Sequence, residues 1–326
     1  MQSMSNPIEE LMSVVTDEQV KEDKSYSWKT QTVEQCVKRK DLWKIPRKGG
    51  HVSKYWDYVT GGAIKGEVHM LVAPSGGGKT RTGIEVACNL LDEGWKVCYL
   101  TFEQTKEEIY EMVLLHYADG DYTMAKSDMT WELIKDKVFA VREFENDDKN
   151  RVIDMLNHLG NYDALILDYV APPDNCPLGG PEMSTTMRLM CKGIKDAATK
   201  NNQYVFCMAQ GRDAQPPKGR RDAQPPKGID GDVPFSDVSD IWCSAQMITP
   251  LNVVCIQKSS PFDANEKFLD FVKVRKPLNG VSKCRIVRIY DFAALKSEDT
   301  QLRDICGGVI NGDQGVQTSA VNEAAE

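Results

Sequence analysis

Eight residues, Ala73-Pro74-Ser75-Gly76-Gly77-Gly78-Lys79-Thr80, constrain this chain more than any other feature of it. They follow an apolar run at 68–72 and open a segment of helical periodicity near Lys79. A glycine-rich turn between a strand and a helix lets backbone N–H groups converge on one point, and the helix N-terminus favours an anion there. In that setting the pattern [AG]-x4-G-K-[ST] is a phosphate cradle. Lys79 has the reach for β- and γ-phosphates, and the Thr80 hydroxyl suits Mg2+. Ser75, Gly76, Gly77, Gly78 and Arg81 complete the expected nucleotide-contacting set. The bland alternative is a glycine turn with an incidental lysine, which does not require the strand before it or the helix after it.

The rest of the chain repeats the strand–helix alternation. Apolar runs predict strands at 67–73, 96–102, 137–142, 163–168, 204–209, 251–257, 268–275 and 284–290. Helical patterns fall at 79–92, 106–118, 149–159 and 184–200. We expect an α/β fold of P-loop NTPase type, a mostly parallel twisted sheet with helices on both faces. The closely spaced late strands add an antiparallel extension at one edge. This domain is expected over 46–295. Residues 1–45, with short helical patterns at 8–21 and 33–42, read as an arm of linker helices. Residues 296–326 read as an acidic, disordered C-terminal tail, small and polar from 307 onward.

Composition narrows the function classes. The 326 residues carry 40 Lys+Arg against 48 Asp+Glu, a net charge of −8, so contact with nucleic acid would have to come from local basic loops. No run of 18 apolar residues exists and residues 1–10 lack a signal pattern, so we expect a cytoplasmic protein without a membrane partner. The ten cysteines include no C-x2-C pair, and Cys88, Cys98, Cys207 and Cys255 sit in apolar runs as small hydrophobes.

Further residues fall at strand ends, where a parallel sheet gathers its ligands. Asp168 closes the run Leu165-Ile-Leu-Asp168 and is the expected Mg2+ partner, although aspartates also begin turns. Glu103 follows Tyr99-Leu-Thr-Phe and could take a proton from an attacking water, or could instead cap the next helix. Gln210 ends another strand and could sense a γ-phosphate. After it, Arg212–Gly219 and Arg221–Gly228 both read RDAQPPKG, a short duplication in a loop. Arg212, Lys218, Arg220, Arg221 and Lys227 make that loop a candidate for phosphate-backbone binding, against a merely soluble loop. Lys273 and Arg275 share one face of a late strand, a costly pairing unless they meet an anion. A neighbouring subunit's γ-phosphate would be such an anion; a lysine-blunted edge strand is the alternative.

In their order, the segments VTGGAIKGE, APSGGGKT, LTFEQTKEE, LILDYV, Gln210 and KVRKPLNG resemble the RecA-fold ATPase domain of DnaB-like replicative helicases, phage primase-helicases among them. The likeness spans about residues 46–295. It implies ATP and Mg2+ as cofactors, with Lys79 and Thr80 on the phosphates and metal, Asp168 on Mg2+ and Glu103 activating water. It also implies Gln210 coupling the phosphate to the DNA loop, Lys273 and Arg275 acting on the adjacent subunit's ATP, and Tyr290 stacking on adenine. The implied partners are single-stranded DNA, further copies in a hexameric ring, and a primase, loader or single-strand-binding protein. The leading expectation is therefore a ring-forming DNA motor. A filament-forming recombinase or mediator and a motorless nucleotide switch are the alternatives, and the Lys273-x-Arg275 pair favours the motor.

Overall fold

The computed structural model describes residues 49–101, 103–143, 149–174, 176, 180–211, 235–236, 248–261, 263–305 and 308–310, all within the unit Pro46–Glu326. The expected arm at 1–45 and the end of the tail lie outside the described residues. The chain order is α1 (Lys54–Thr60), β1 (Val68–Ala73), α2 (Lys79–Asp92), β2 (Val97–Thr101), α3 (Lys106–Tyr117), α4 (Tyr122–Ala125), α5 (Asp128–Ile134) and β3 (Phe139–Glu143). It continues with α6 (Lys149–His158), β4 (Ala164–Val170), α7 (Gly180–Asn201), β5 (Tyr204–Gln210), β6 (Val253–Ser259), β7 (Glu266–Val274), β8 (Cys284–Asp291) and β9 (Lys296–Arg303).

The nine strands form one sheet in the order β3-β2-β4-β5-β1-β6-β7-β8-β9. From β3 to β6 every pairing is parallel, and from β6 to β9 every pairing is antiparallel. Central strands β1 and β2 are buried along their whole length, as strands covered on both faces must be. Leu71, Tyr99, Ile166 and Phe206 face a core shared with Ile84 and Leu90 of α2 and Ile109 of α3. Met70, Val72, Leu165 and Val205 face the opposite core, with Leu156 of α6 and Met187 and Ile194 of α7. Cys88, Cys98, Cys207 and Cys255 are all buried in these two cores, and burial pushes the Cys98 thiol up to about 12.

Three departures from the sequence expectations have physical reasons. Residues 296–303 form strand β9, so the acidic tail does not begin at 296. The run Lys-Ser-Glu-Asp-Thr-Gln-Leu-Arg has one apolar residue and no periodicity to read. It is held instead by ladder pairing to β8 and by Asp299, which accepts Arg288 Nε at 2.7 Å with both side chains buried. Helix α1, where the sequence predicts no element, is too short for a periodic signature. It buries Trp56 and Val59 and stops at Gly61, whose φ of 86° requires a left-handed residue. Helix α7 begins at Gly180, ahead of the helical pattern expected at 184–200, because Pro181 is tolerated in a first helical turn. Among the described residues no helix is long and apolar enough to cross a membrane.

Candidate functional site

The parallel half of the sheet brings the ends of β1, β2, β4 and β5 to one edge. Ala73 pairs with Gln210, and Thr101 pairs with Asp168. The glycine turn leaves β1 at that edge. Gly76 and Gly78 take φ of 68° and 88°, left-handed values that only glycine adopts without strain. Gly77 is packed so closely that an added Cβ would lie 2.9 Å from the Pro74 carbonyl oxygen. The turn delivers the chain into α2 at Lys79, so the first-turn N–H groups of that helix face the loop. Gly83 seats the helix on the sheet; a Cβ there would come within 2.7 Å of Met208.

Lys79 Nζ rests 3.1 Å from the Pro74 oxygen and 3.4 Å from the Ala73 oxygen, at the mouth of the loop. Ser75 and Gly76 are exposed, and Thr80 and Arg81 half-buried. Asp168 is 3% exposed and accepts hydrogen bonds from Tyr99, at 2.8 Å, and from Thr80. Burial raises its carboxyl above the usual carboxylate range, against the lowering effect of those two hydroxyls. A buried carboxylate beside a P-loop threonine, with neutral hydrogen-bond partners, is a donor set that fits a hard divalent cation.

Glu103 lies exposed just beyond β2. The helix-capping alternative for it is taken by other residues. Thr105 accepts from the Glu108 N–H while Glu108 accepts from the Thr105 N–H, a complete capping box. Glu103 instead faces the site, where the Tyr169 hydroxyl is its hydrogen-bond donor and Asp168 its charged neighbour. Tyr169 also presents its ring 5.9 Å from Lys79 Nζ. Gln210 stands beside the loop entry, and the next N–H, of Gly211, donates to the Ala73 oxygen at 2.8 Å.

Two expected residues lie away from this cluster. Lys273 and Arg275 sit at the other edge of the sheet. Val274 pairs with Val253, which in turn pairs with His69 near the start of β1. The two cations meet at the Thr249 carbonyl, which accepts from Arg275 and, at 2.9 Å, from Lys273. Burial, then the neighbouring Arg275 charge, lowers Lys273 to about 8. The register thus sets them toward the end of β1 opposite Ala73, from which the P-loop leaves.

The adenine-stacking expectation for Tyr290 is corrected. The residue is 3% exposed, and its hydroxyl lies 2.6 Å from Thr82 Oγ1, so it braces α2 from within. The half-buried ring on that side is Phe292, stacked on Tyr290 and flanked by the Arg81 guanidinium at 4.9 Å and Lys267 Nζ at 5.4 Å. The loop residues Arg212, Lys218, Arg220, Arg221 and Lys227 lie outside the described residues.

Three participants escape a motif reading: Tyr99, Tyr169 and Gln257. Gln257 is 1% exposed and donates from its amide to the Gly77 oxygen. One signal for it exists in the sequence. It takes the core-facing place in the alternation Val253, Cys255, Gln257, where the pattern calls for an apolar side chain.

Neither a protein-family model nor a curated protein sequence matches the chain. Solved structures do match its fold. A helicase ATPase domain solved by itself superposes with a TM-score of 0.63 at 12% identity, over 83% of this chain and 100% of that one. A DnaB-like replicative helicase, solved for its interactions with primase, gives 0.62 at 12% identity, over 91% of this chain and 72% of that one. The RadB recombinase gives 0.50 at 13% identity, over 74% and 94%. The fold is thus the RecA-like one of helicase and recombinase ATPase domains.

Proposed function

We propose that this chain is an ATP-driven, ring-forming motor that translocates on single-stranded DNA and unwinds duplex DNA, in the manner of a replicative helicase. The N–H groups of Gly76–Gly78 and the start of α2 bind the β-phosphate, and Lys79 bridges β- and γ-phosphates. Thr80 and Asp168 hold Mg2+, which when bound neutralises charge developing on the phosphoryl oxygens. Glu103 orients the attacking water and accepts its proton, and Gln210 links the γ-phosphate to the basic loop after it. Arg81 and Phe292 offer a cation and a ring to the base. The setting is the cytoplasm, of a bacterial host if the chain is phage-encoded, with a primase, loader or single-strand-binding protein as further partners.

One observation carries the motor reading. Lys273 and Arg275 lie at the sheet edge opposite their own P-loop, which supports a role on the phosphate of an adjacent subunit. Hydrolysis then depends on assembly. The deciding experiment measures ATPase rate with and without single-stranded DNA, alongside particle images. DNA-stimulated turnover by closed rings supports the motor. Filaments on DNA would favour the recombinase reading that the RadB-like fold allows, and turnover indifferent to DNA would favour a nucleotide switch.

A further inference from the structure

The amide of Gln257 lies beneath the phosphate loop, and its two ends make different demands. Its Nε2 donates to the Gly77 carbonyl, and a Cβ on Gly78 would stand 3.5 Å from that same nitrogen. Its Oε1 faces two hydroxyls, Thr82 Oγ1 and Tyr290 Oη, each at 3.3 Å. A hydroxyl can donate or accept, whereas a carbonyl only accepts, so the Gly77 oxygen dictates which way the amide points. The three contacts come from the P-loop, the first turn of α2 and the end of β8, elements that meet only in the folded protein.

The consequence lies in the peptide plane. In a trans peptide the Gly77 oxygen and the Gly78 N–H point in opposite directions. Drawing the oxygen down onto Gln257 turns the N–H away from Gln257, and the loop is open at the neighbouring Gly76, where a Cβ would meet nothing within 4 Å. A glycine pair has little of its own to hold that plane, because glycine reaches both signs of φ readily.

We propose that Gln257 is a positioning residue for nucleotide, which locks the Gly77–Gly78 peptide with its N–H presented to phosphate and so sets affinity for the phosphate groups and not for the base. This inference rests on the nucleotide-site reading above, and the test separates the two. Calorimetric titration of the full chain with ADP and with adenosine, both with Mg2+, gives the reference. If the wild type does not prefer ADP, the site reading itself fails. Given that preference, Gln257→Leu should weaken ADP binding about tenfold, the scale of one buried hydrogen bond left unmade, and leave adenosine unchanged. Gln257→Glu keeps the shape but donates only when protonated. Its ADP affinity relative to wild type should therefore recover as pH falls from 8 to 5.5, a trend that a general packing defect would not produce. The inference is overturned if Gln257→Leu binds ADP like wild type, if ADP and adenosine weaken together, or if the Gln257→Glu ratio stays flat with pH. Should the leucine variant fail to fold, the glutamate pH series decides alone.

Discussion

Tyr99 of β2 donates a 2.8 Å hydrogen bond across the sheet to the Asp168 carboxylate of β4. The bond fixes a buried acid in place without neutralising it, and the Thr80 hydroxyl approaches the same group. Burial raises that carboxyl, so the nucleotide-free protein gains stability at low pH that is lost as pH rises through the folded-state value. Asp168→Asn removes this loss. Its thermal midpoint should exceed the wild type's by a margin that widens from acid to neutral pH, while Mg2+-dependent turnover falls by at least about 10–100-fold. Equal midpoints at neutral pH would show that the buried charge is compensated elsewhere.

Glu103 is freed from capping duty by the Thr105–Glu108 box, so its carboxylate can serve water. Glu103→Gln should bind ATP normally and lose about 10²–10⁴ in kcat, the usual contribution of a general base. Wild-type turnover in this variant would move the base to another side chain.

Arg275→Ala should abolish turnover and spare nucleotide binding, since a cation on the transferring phosphoryl contributes about 10³–10⁵ in rate. Lys79→Ala should be equally inactive for the opposite reason. Mixing the two variants should restore part of the activity, because some mixed interfaces pair an intact P-loop with an intact arginine. Activity per subunit of the wild type should also rise with protein concentration. Mixed oligomers that form but stay inactive would remove the main support for the ring.

The basic loop makes a prediction about salt. If four phosphates of a single strand are neutralised there, affinity should fall with a log–log slope of roughly −3. Reversing the charge of Lys218, Arg220, Arg221 and Lys227 together should flatten the slope and leave ATP affinity untouched. An unchanged slope places DNA contact on another surface.

Strand β9 rests on a buried ion cluster, which gives a stability test away from the site. Burial pushes the Asp299 carboxyl up, but the Arg288 charge and hydrogen bond and the Tyr55 N–H outweigh it and hold the group below its ordinary value. Such a group stabilises the fold above its unfolded-state value, and the benefit fades as pH falls through the folded one. Arg288→Met strands Asp299 and Glu85 without their cation and should cost about 3–5 kcal/mol in chemical denaturation. A loss under about 1 kcal/mol would mean that β9 is held by its ladder alone.

The phosphate loop, the parallel core and the acids at strand ends are all legible in order along the chain, because each depends on neighbours. Gly76 to Thr80 must be consecutive to close one turn, and runs such as Leu165–Asp168 announce a buried strand by their own composition. Helix ends are equally local, since the capping box at Thr105 is a matter of three residues' spacing. Strand β9 is different: of its polar residues only Asp299 is buried, and the strand is held by pairing with β8 and by Arg288, partners that periodicity cannot show. Tyr290 reads as an aromatic available to a base, and only the packing of β8 against α2 turns its hydroxyl toward Thr82. Gln257 stands 180 residues from the glycine it holds. The opposition of Arg275 to its own P-loop follows from the antiparallel turn of β7, which reverses the strand's direction relative to β1. Spacing along the chain encodes turns, caps and strands because those form between near neighbours. Which distant side chains meet is decided by strand order and register, which exist only once the sheet has assembled.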